Sequence, residues 1–367
     1  MPVHFFDAIV LDILSSMKGE RSASAVYHLL KGKRSSQTIQ DAGLFAVSKY
    51  FGFCSALSRE QVTVSVQQLK QESLVREKAE SGAYTVTEKG EAELAGFFAL
   101  YPWPRHFHGG YYQAAAKIMW ARMSLLIQVL SNKLYRERVY LPIIKDYQIQ
   151  NWVKQYLRNR NAAETAAQFH HELKEKLSVL NDDEQAAIFV HSLTSGAKAG
   201  YTFRQLSEKM NLDEWYIYAL FWDVLHHFIQ SAQNGESPLF QTLIQDIPLK
   251  DGLTQSTRKT LFLIKEGHTI DRIADIRKLK SATIEDHIVE IAIHDPSFSI
   301  DQYVSKEEQK IIADYAKANQ TNKIRQIKEG LGGRYSYFKI RLALSKTVIR
   351  NGETSPGASP VVWLSYG

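Results

Sequence analysis

The chain has 367 residues, with 45 Lys and Arg against 39 Asp and Glu, 44% hydrophobic residues and a single cysteine, Cys54. At roughly 100–200 residues per domain, this length predicts about two to three domains, and the composition excludes wholesale disorder. One cysteine excludes a disulfide framework and any metal site built from several cysteines.

The start of the chain does not resemble a targeting signal. Residues 1–7 lack the basic stretch and the small-residue cleavage site of a secretory signal peptide. The longest apolar run, around residues 125–130, is flanked by Arg122 and Lys133, so it is shorter than the about 18 residues that span a bilayer. The sequence therefore predicts a soluble, cytoplasmic protein with no membrane partner, and nucleoid association is compatible with this.

Residues 1–100 are predicted to form a winged-helix-like domain. Ser58 and Gln61 match a capping box at the start of a helix whose apolar face carries Val62, Val66 and Leu69. The β-prone residues at 74–75 and 84–87 predict a small two-stranded wing. Winged helices read DNA grooves or dock proteins, and the pattern alone does not separate these roles. The groove-facing candidates, chosen as polar side chains suited to base edges, are Thr63, Ser65, Gln67 and Lys70.

An aromatic stretch with two histidines follows at residues 101–112. A metal site at His106 and His108 is not favoured, because no third ligand lies at a usual spacing. We therefore predict no metal or other cofactor. The side chains that we expect to pack this loop onto the following helices are Trp103, Phe107, Tyr111 and Tyr112.

Two segments repeat the same pattern at an offset of 67 residues, beginning at Gly200 and Gly267. Each predicts a helix-turn-helix, in which a glycine with positive φ ends the first helix and a threonine caps the second. The predicted roles fall on Gly200 and Gly267, the caps Thr202 and Thr269, small Ser207 and Ala274, turn residues Leu212 and Leu279, the caps Asp213 and Ser281, and inward Ile217 and Ile284.

The third helices of these two motifs are poor candidates for reading DNA. In the second motif, Thr283, Glu285, Asp286 and Glu290 are expected to be exposed, and carboxylates repel phosphates. In the first motif, the positions of the third helix that are expected to be exposed include Trp215, Tyr216 and Trp222. These residue types suit a protein interface, and burial in the helical middle of the chain is an equal alternative.

The basic charge is concentrated in residues 317–350. This segment holds nine basic residues and one acid, Glu329, a formal charge of +8, whereas the whole chain carries only +6. Such a local patch favours a polyanion, most commonly nucleic acid, and the alternative is a solvated helix face that binds nothing. The DNA-phosphate candidates are Lys323, Arg325, Lys328, Arg334, Lys339 and Arg341.

These features predict a mainly α, multi-domain winged-helix and helix-turn-helix protein with a small β wing near the N-terminus. The predicted domains are a winged-helix-like domain at 1–100, a helical middle domain at 101–250 with a helix-turn-helix-like unit at 184–230, and a helix-turn-helix domain at 251–350. Residues 351–367 contain two prolines and three glycines and are predicted to be a flexible tail.

Three stretches resemble known families. Residues 260–288 resemble the helicase helix-turn-helix domain at the C-terminus of some RecQ helicases, and residues 335–344 resemble the closing helix of that domain. Residues 29–42 are similar to the start of the YpbB family of Firmicutes, whose gene commonly lies beside one for a short RecQ-type helicase. The resemblance implies an accessory subunit that supplies this domain to a RecQ-type helicase as a separate chain.

The sequence also predicts that the protein is not an enzyme. No G-x-x-x-x-G-K-[ST] motif for nucleotide phosphates and no H-E-x-x-H metal motif is present. The leading hypothesis is a non-enzymatic, DNA-associated partner of a RecQ-type helicase in DNA repair or recombination. The alternatives are a sequence-specific transcription regulator and a pure protein-docking scaffold without DNA binding.

Overall fold

A computed structural model describes residues 4–78, 82–137, 139–180, 182–247, 253–295 and 297–349, with side chains up to residue 346. The mainly α class and the small β wing are confirmed. The predicted tail at 351–367 lies outside the described residues. The α-helices are α1 Phe5–Met17, α2 Ala23–Lys31, α3 Ser36–Leu44, α4 Arg59–Gln71, α5 Glu88–Leu100, α6 Gly109–Leu134, α7 Tyr147–Leu157, α8 Ala162–Ser178, α9 Asp183–His191, α10 Phe203–Met210, α11 Glu214–Gln233, α12 Pro238–Ile244, α13 Gln255–Lys265, α14 Ile270–Arg277, α15 Ser281–His294, α16 Lys306–Ala318, α17 Ile324–Gly330 and α18 Tyr337–Ile349.

The chain divides into two compact units, each built from segments that are separate in sequence. Unit 1 comprises Met1–Asp12, Lys49–Arg76 and Val86–Lys250, and unit 2 comprises Ile13–Ser48, Glu77–Thr85 and Asp251–Gly367. The division into three consecutive domains stays a prediction. Within the described residues, no helix combines the length and the apolar character needed to cross a bilayer.

The predicted winged-helix signals are found where the sequence places them. The Ser58 hydroxyl accepts from the backbone of Gln61 at 3.2 Å, and the Gln61 side chain accepts from the Ser58 backbone at 2.9 Å, which completes the capping box of α4. Strands β1 (Val75–Glu77) and β2 (Tyr84–Val86) form the two-stranded sheet. Local capping and turn chemistry therefore set these elements.

The core of unit 1 is built around α11, which packs against α6, α9, α10 and α12. Its aromatic side chains Phe221 and Phe228 are almost fully buried. The aromatic loop packs onto this helix as predicted, because the His106 backbone donates to Asp223 at 2.6 Å and the His108 backbone donates to His226 at 3.0 Å. The rings of Phe107 and Tyr112 lie against His226 of the same helix. The Trp103 ring, which was expected to pack onto the following helices, lies instead against the preceding Phe5, Tyr50 and Phe53, and Tyr111 and Tyr112 belong to α6 itself.

Both members of the 67-residue repeat fold as helix-turn-helix units, one in each unit of the chain. Thr202 caps α10 and Thr269 caps α14, each by accepting from the backbone three residues later. Leu206 and its equivalent Ile273 are fully buried, as are Ile217 and Ile284. The turns also match, because Leu212 donates to Ser207 and Leu279 donates to Ala274 along the backbone.

Three details of the predicted repeat are corrected. Gly267 has φ +84°, but Gly200 does not have positive φ. The position of Gly200 requires a glycine for a steric reason, because a Cβ there would lie 2.2 Å from the Ser192 carbonyl oxygen. The left-handed residues common to both turns are Asn211 and Lys278, with φ near +53°. Asp213 caps α11 as predicted, whereas Lys280 and not Ser281 occupies the cap position of α15.

The left-handed turn residues give a matched pair of stability predictions. Lys278→Gly is expected to raise the free energy of unfolding by about 0.5–1 kcal/mol, because glycine relieves the Cβ clash of that conformation at some cost in chain entropy. Asn211→Gly should change the free energy of unfolding by only a few tenths of a kcal/mol, since asparagine tolerates the left-handed region better than lysine does. Urea unfolding followed by circular dichroism compares the two, and an equal effect at both positions would contradict this account.

Candidate nucleic-acid interface

Unit 2 contains a polar cleft of about 580 Å³ formed by segments almost 300 residues apart in sequence. One wall comes from residues around the start of α2 and α3, and the other comes from the start of α17. The Asn322 backbone donates to the Glu20 carboxylate at 2.9 Å, which joins the two walls. We call this the basic cleft. Its lining residues are Glu20, Arg21, Ser22, Ser24, Ala25, His28, Lys33, Ser35, Gln37, Thr38, Asp41, Lys323, Ile324 and Arg325.

The lining of the basic cleft has a net formal charge of +2, because the four cations Arg21, Lys33, Lys323 and Arg325 outnumber the two carboxylates Glu20 and Asp41. Arg21 and Asp41 neutralise each other through two hydrogen bonds of 3.0 and 2.8 Å. Lys33 and Lys323 have no ion-pair partner in the described part of the chain, and Arg325 pairs only with the exposed Glu329 one turn along α17. Such an exposed pair holds its cation weakly, so all three cations are available to an anion.

Two helices begin at the basic cleft, and this adds to its positive potential. The first turns of α2 and α3 contribute lining residues on the same side. Ser35 caps α3 by accepting from Thr38, but the Ser22 hydroxyl makes no cap bond to α2. The N-terminus of a helix carries partial positive charge and unpaired backbone N–H groups, so both helices favour a bound anion here.

Two further candidates lie on and just after α17. The Lys328 ammonium lies 4.2 Å from the centre of the Tyr337 ring, which positions it without neutralising its charge. Arg334 is exposed and follows Gly332 and Gly333, both with positive φ. The structure therefore brings Lys323 and Arg325 together with Lys33, and it leaves Lys328 and Arg334 on the surface of the same segment.

Lys339 and Arg341 are the two phosphate candidates that the structure engages inside unit 2. The Lys339 ammonium lies 2.7 Å from a Glu308 carboxylate oxygen. The Arg341 side chain is only 16% exposed, forms an ion pair with Asp286 and donates to Gln40 at 2.8 Å. These side chains tie α18 to its neighbours, so a phosphate would have to compete with a carboxylate for each. Arg350 lies outside the described residues.

Removal of the Arg341 guanidinium is expected to destabilise unit 2. Arg341→Met should lower the free energy of unfolding by about 1–3 kcal/mol, because it leaves Asp286 and Gln40 without their partner in a largely buried setting. Chemical denaturation of this variant, Asp286→Asn and the double variant forms a cycle that isolates the pair. Strictly additive effects would show that the two side chains do not interact.

Helix α15, the third helix of the second motif, is buried at Ile284 and from His287 to Ala292, whereas Ser281 and Ala282 in its first turn are exposed. It packs against α3, α13, α14 and α18. Glu290, expected on the exposed face, is buried and accepts from Thr254 and from Thr257, the latter at 2.6 Å, and burial raises the pKa of this carboxyl. The Asp286 carboxylate forms an ion pair with Arg341. Glu285 is half-buried, and burial raises the pKa of its carboxyl as well. Of the four side chains expected on an exposed acidic face, Glu290 is buried, and Thr283, Glu285 and Asp286 are only partly exposed.

The groove-facing candidates on α4 in unit 1 do not share one face. Thr63, Gln67 and Lys70 are exposed, but Ser65 is 3% exposed and its hydroxyl donates to Asp7 at 2.5 Å. The placement of Ser65 on the outward face was wrong, since it lies three residues from Val62 and four from Leu69 on the apolar stripe.

A large cleft of about 1,390 Å³ lies beside α4 in unit 1. Its lining contains Glu60, Glu93, Glu208 and Glu214 and contains no lysine or arginine. Because this side of α4 has negative potential, it disfavours phosphate. Trp215 and Tyr216 in the same unit are partly exposed and pack in the aromatic core, whereas Trp222 is buried.

His106 and His226 of unit 1 each form a hydrogen bond with a glutamine side chain. His106 Nδ1 lies 3.0 Å from the Gln230 side-chain oxygen, and His226 Nε2 lies 3.0 Å from the Gln113 oxygen. Across the residues that the structure describes, no group of three or more histidine, cysteine or acidic side chains could hold a metal ion.

Sequence reasoning did not find Lys33 as part of the basic cleft. Lys33 lies in the N-terminal segment whose family resemblance is visible, but its proximity to Lys323 depends on a contact between distant parts of the chain. Only the local excess of basic residues in 29–34 marks this segment, and that signal is weak on its own.

Comparison with known proteins agrees with the folded motif of unit 2. A family model described as a helix-turn-helix domain matches residues 256–344, and a domain of this class suggests a DNA-associated role. Protein YpbB of Bacillus subtilis (strain 168) is 50% identical over 349 residues, which cover 95% of this chain and 99% of that protein. No solved structure matches the chain. The chain belongs to the YpbB family.

Proposed function

We propose that this protein is a non-enzymatic, DNA-associated accessory subunit that works with a RecQ-type helicase in DNA repair or recombination. The observation that carries the proposal is the basic cleft, in which Lys33, Lys323 and Arg325 converge within the unit that contains the helix-turn-helix domain. The proposed site of action is the cytoplasm, at the nucleoid.

The proposed DNA contacts are made with phosphates and not with bases. Helix α15, which would read bases in a helix-turn-helix protein, packs against four other helices and fully exposes only Ser281 and Ala282 in its first turn. The available groups are the five cations Lys33, Lys323, Arg325, Lys328 and Arg334, which suit phosphate oxygens. We expect binding with little sequence preference, whereas a transcription regulator would select one motif from random DNA.

The RecQ-type partner is proposed from the resemblance of residues 260–288 to the C-terminal domain of such helicases. The absence of a nucleotide-binding motif in the sequence supports a subunit that depends on a separate motor. Analytical ultracentrifugation of the purified full chain with a RecQ-type helicase from the same organism tests this. We expect a stable complex after nuclease treatment, and independent sedimentation of the two proteins would reject the partnership.

The protein-docking alternative is favoured by one observation in unit 1. The carboxylates beside α4 give the winged-helix surface a charge that repels DNA and attracts a basic protein segment. If the full chain binds the helicase but retains no duplex or single-stranded DNA at low salt, docking alone is its function.

A further inference from the structure

An apolar groove of about 630 Å³ lies in unit 1 between α6, α8 and the end of α9. Buried side chains of Leu130, Phe169 and Leu177 form its floor. Leu134 and Val190 line it as well, although they are 53% and 47% exposed. Large apolar side chains exposed side by side in a groove are typical of an interaction surface.

On both long walls of the groove, the apolar side chains recur at the intervals of a helix face that packs against another helix, which we call the seam. On α6 the apolar lining residues fall at 127, 130 and 134, and on α8 they fall at 166, 169, 173 and 177. These intervals of three and four residues keep the side chains on one face of each helix. The seam on α8 runs from Ala166 to Leu177, a length of about 16 Å at 1.5 Å per residue. A third helix would complete this packing.

The polar side chains that line the groove indicate the chemistry of the missing helix. His170 and Lys174 lie one turn apart on α8 and line the groove, and no carboxylate lines it. The Ser131 hydroxyl, another polar group of the lining, already accepts from the Gly196 backbone at 2.9 Å. A small polar ligand would need several convergent polar groups, which these lining residues do not provide. An apolar helix face flanked by acids would meet both the seam and the basic edge.

We propose that this groove binds an amphipathic helix of a partner protein, with its apolar face in the seam and acidic residues against Lys174 and His170. The binding of such a helix does not depend on the phosphate contacts proposed for unit 2. The inference and the proposed function can therefore fail separately.

A display library of 18-residue helical peptides tests this proposal on the full chain. The library is selected on the wild type and counter-selected on Leu134→Asp, a change at a half-exposed position that leaves the floor of the groove intact. We expect enriched peptides with apolar residues at intervals of three and four and an excess of Asp and Glu. The absence of groove-dependent peptides, or an excess of Lys and Arg among them, would overturn the proposal.

The consensus peptide is then titrated by fluorescence anisotropy. Leu134→Asp and Val190→Asp should each weaken binding at least tenfold, while Leu100→Asp, at an exposed apolar position of unit 1 outside the groove, should not. Lys174→Glu should weaken this peptide and strengthen a version with its flanking acids changed to lysine. Equal affinities for all variants would overturn the proposal, as would self-association of the chain that Leu134→Asp abolishes.

Discussion

Neutralising Lys33, Lys323, Arg325, Lys328 and Arg334 to glutamine is expected to lower the affinity for DNA by at least about 100-fold in 0.1 M salt. Each cation that contacts a phosphate displaces counterions, and five contacts correspond to a slope of about −4.5 for log affinity against log salt. The variant should bind weakly and with a nearly flat salt dependence, which fluorescence anisotropy with labelled duplex and single-stranded DNA measures.

A control with the same change in net charge separates the basic cleft and its flanking cations from a general effect of charge. It carries five exposed cations of unit 1 changed to glutamine: Lys133, Lys154, Arg158, Arg204 and Lys209. This control should retain the wild-type slope. Equal loss in both variants would show that the affinity comes from overall charge and not from the cations of unit 2.

Acidification from pH 7 to pH 5 is expected to destabilise unit 1 by about 2–4 kcal/mol. His226 is fully buried, and its Nδ1 accepts from the His108 backbone, so the ring is neutral in the fold. Burial, with the nearby His108 and His106, holds the pKa of His226 well below 6.5. Burial lowers the pKa of His227 to about 4, with smaller contributions from His106 and Lys176.

The sign of this effect follows from proton linkage. Because both histidines bind protons more weakly in the folded than in the unfolded state, their stabilising contribution is present above about pH 6.5 and falls as the pH drops towards 4. Each can lose about 1.4 kcal/mol per pH unit in that range. Asp223 acts in the opposite direction, since burial raises its pKa and protonation relieves that cost.

Tryptophan fluorescence reports this unfolding selectively, because five of the six tryptophans belong to unit 1. Urea unfolding at several pH values should show a smaller acid effect in His226→Gln and in His227→Gln than in the wild type. The exposed His171→Gln serves as the control and should match the wild type. A pH dependence that is the same in all four proteins would contradict the assignment.

Local patterns were sufficient to predict much of the fold. The capping box of α4, the two-stranded wing and the threonine caps of the two helix-turn-helix units each depend on residues within about ten positions, and all three are present. The error at Ser65 came from weighing its polarity above its helical phase, although the spacing of Val62, Val66 and Leu69 already placed it inward. The partner that makes this burial acceptable, Asp7, is 58 positions away.

The candidate interface was less accessible from the sequence, because ion pairing between distant residues decides which cations are available. Lys339 and Arg341 look equivalent to Lys323 and Arg334 in a count of charges. They differ because Glu308 and Asp286, 31 and 55 positions away, neutralise them. The second half of α15 did carry a usable signal, since five of the six residues at 288–293 are apolar, and such a density of apolar residues around a helix indicates burial.

The central claim is that this chain adds phosphate contacts to a RecQ-type helicase. It is tested most directly by the salt dependence of helicase binding to a forked DNA duplex, with and without the full chain. We predict that the wild-type chain makes the slope of log affinity against log salt steeper by about 4 to 5, and that the five-residue glutamine variant leaves it unchanged. A slope that the wild-type chain does not alter, or that both proteins alter equally, would contradict the account.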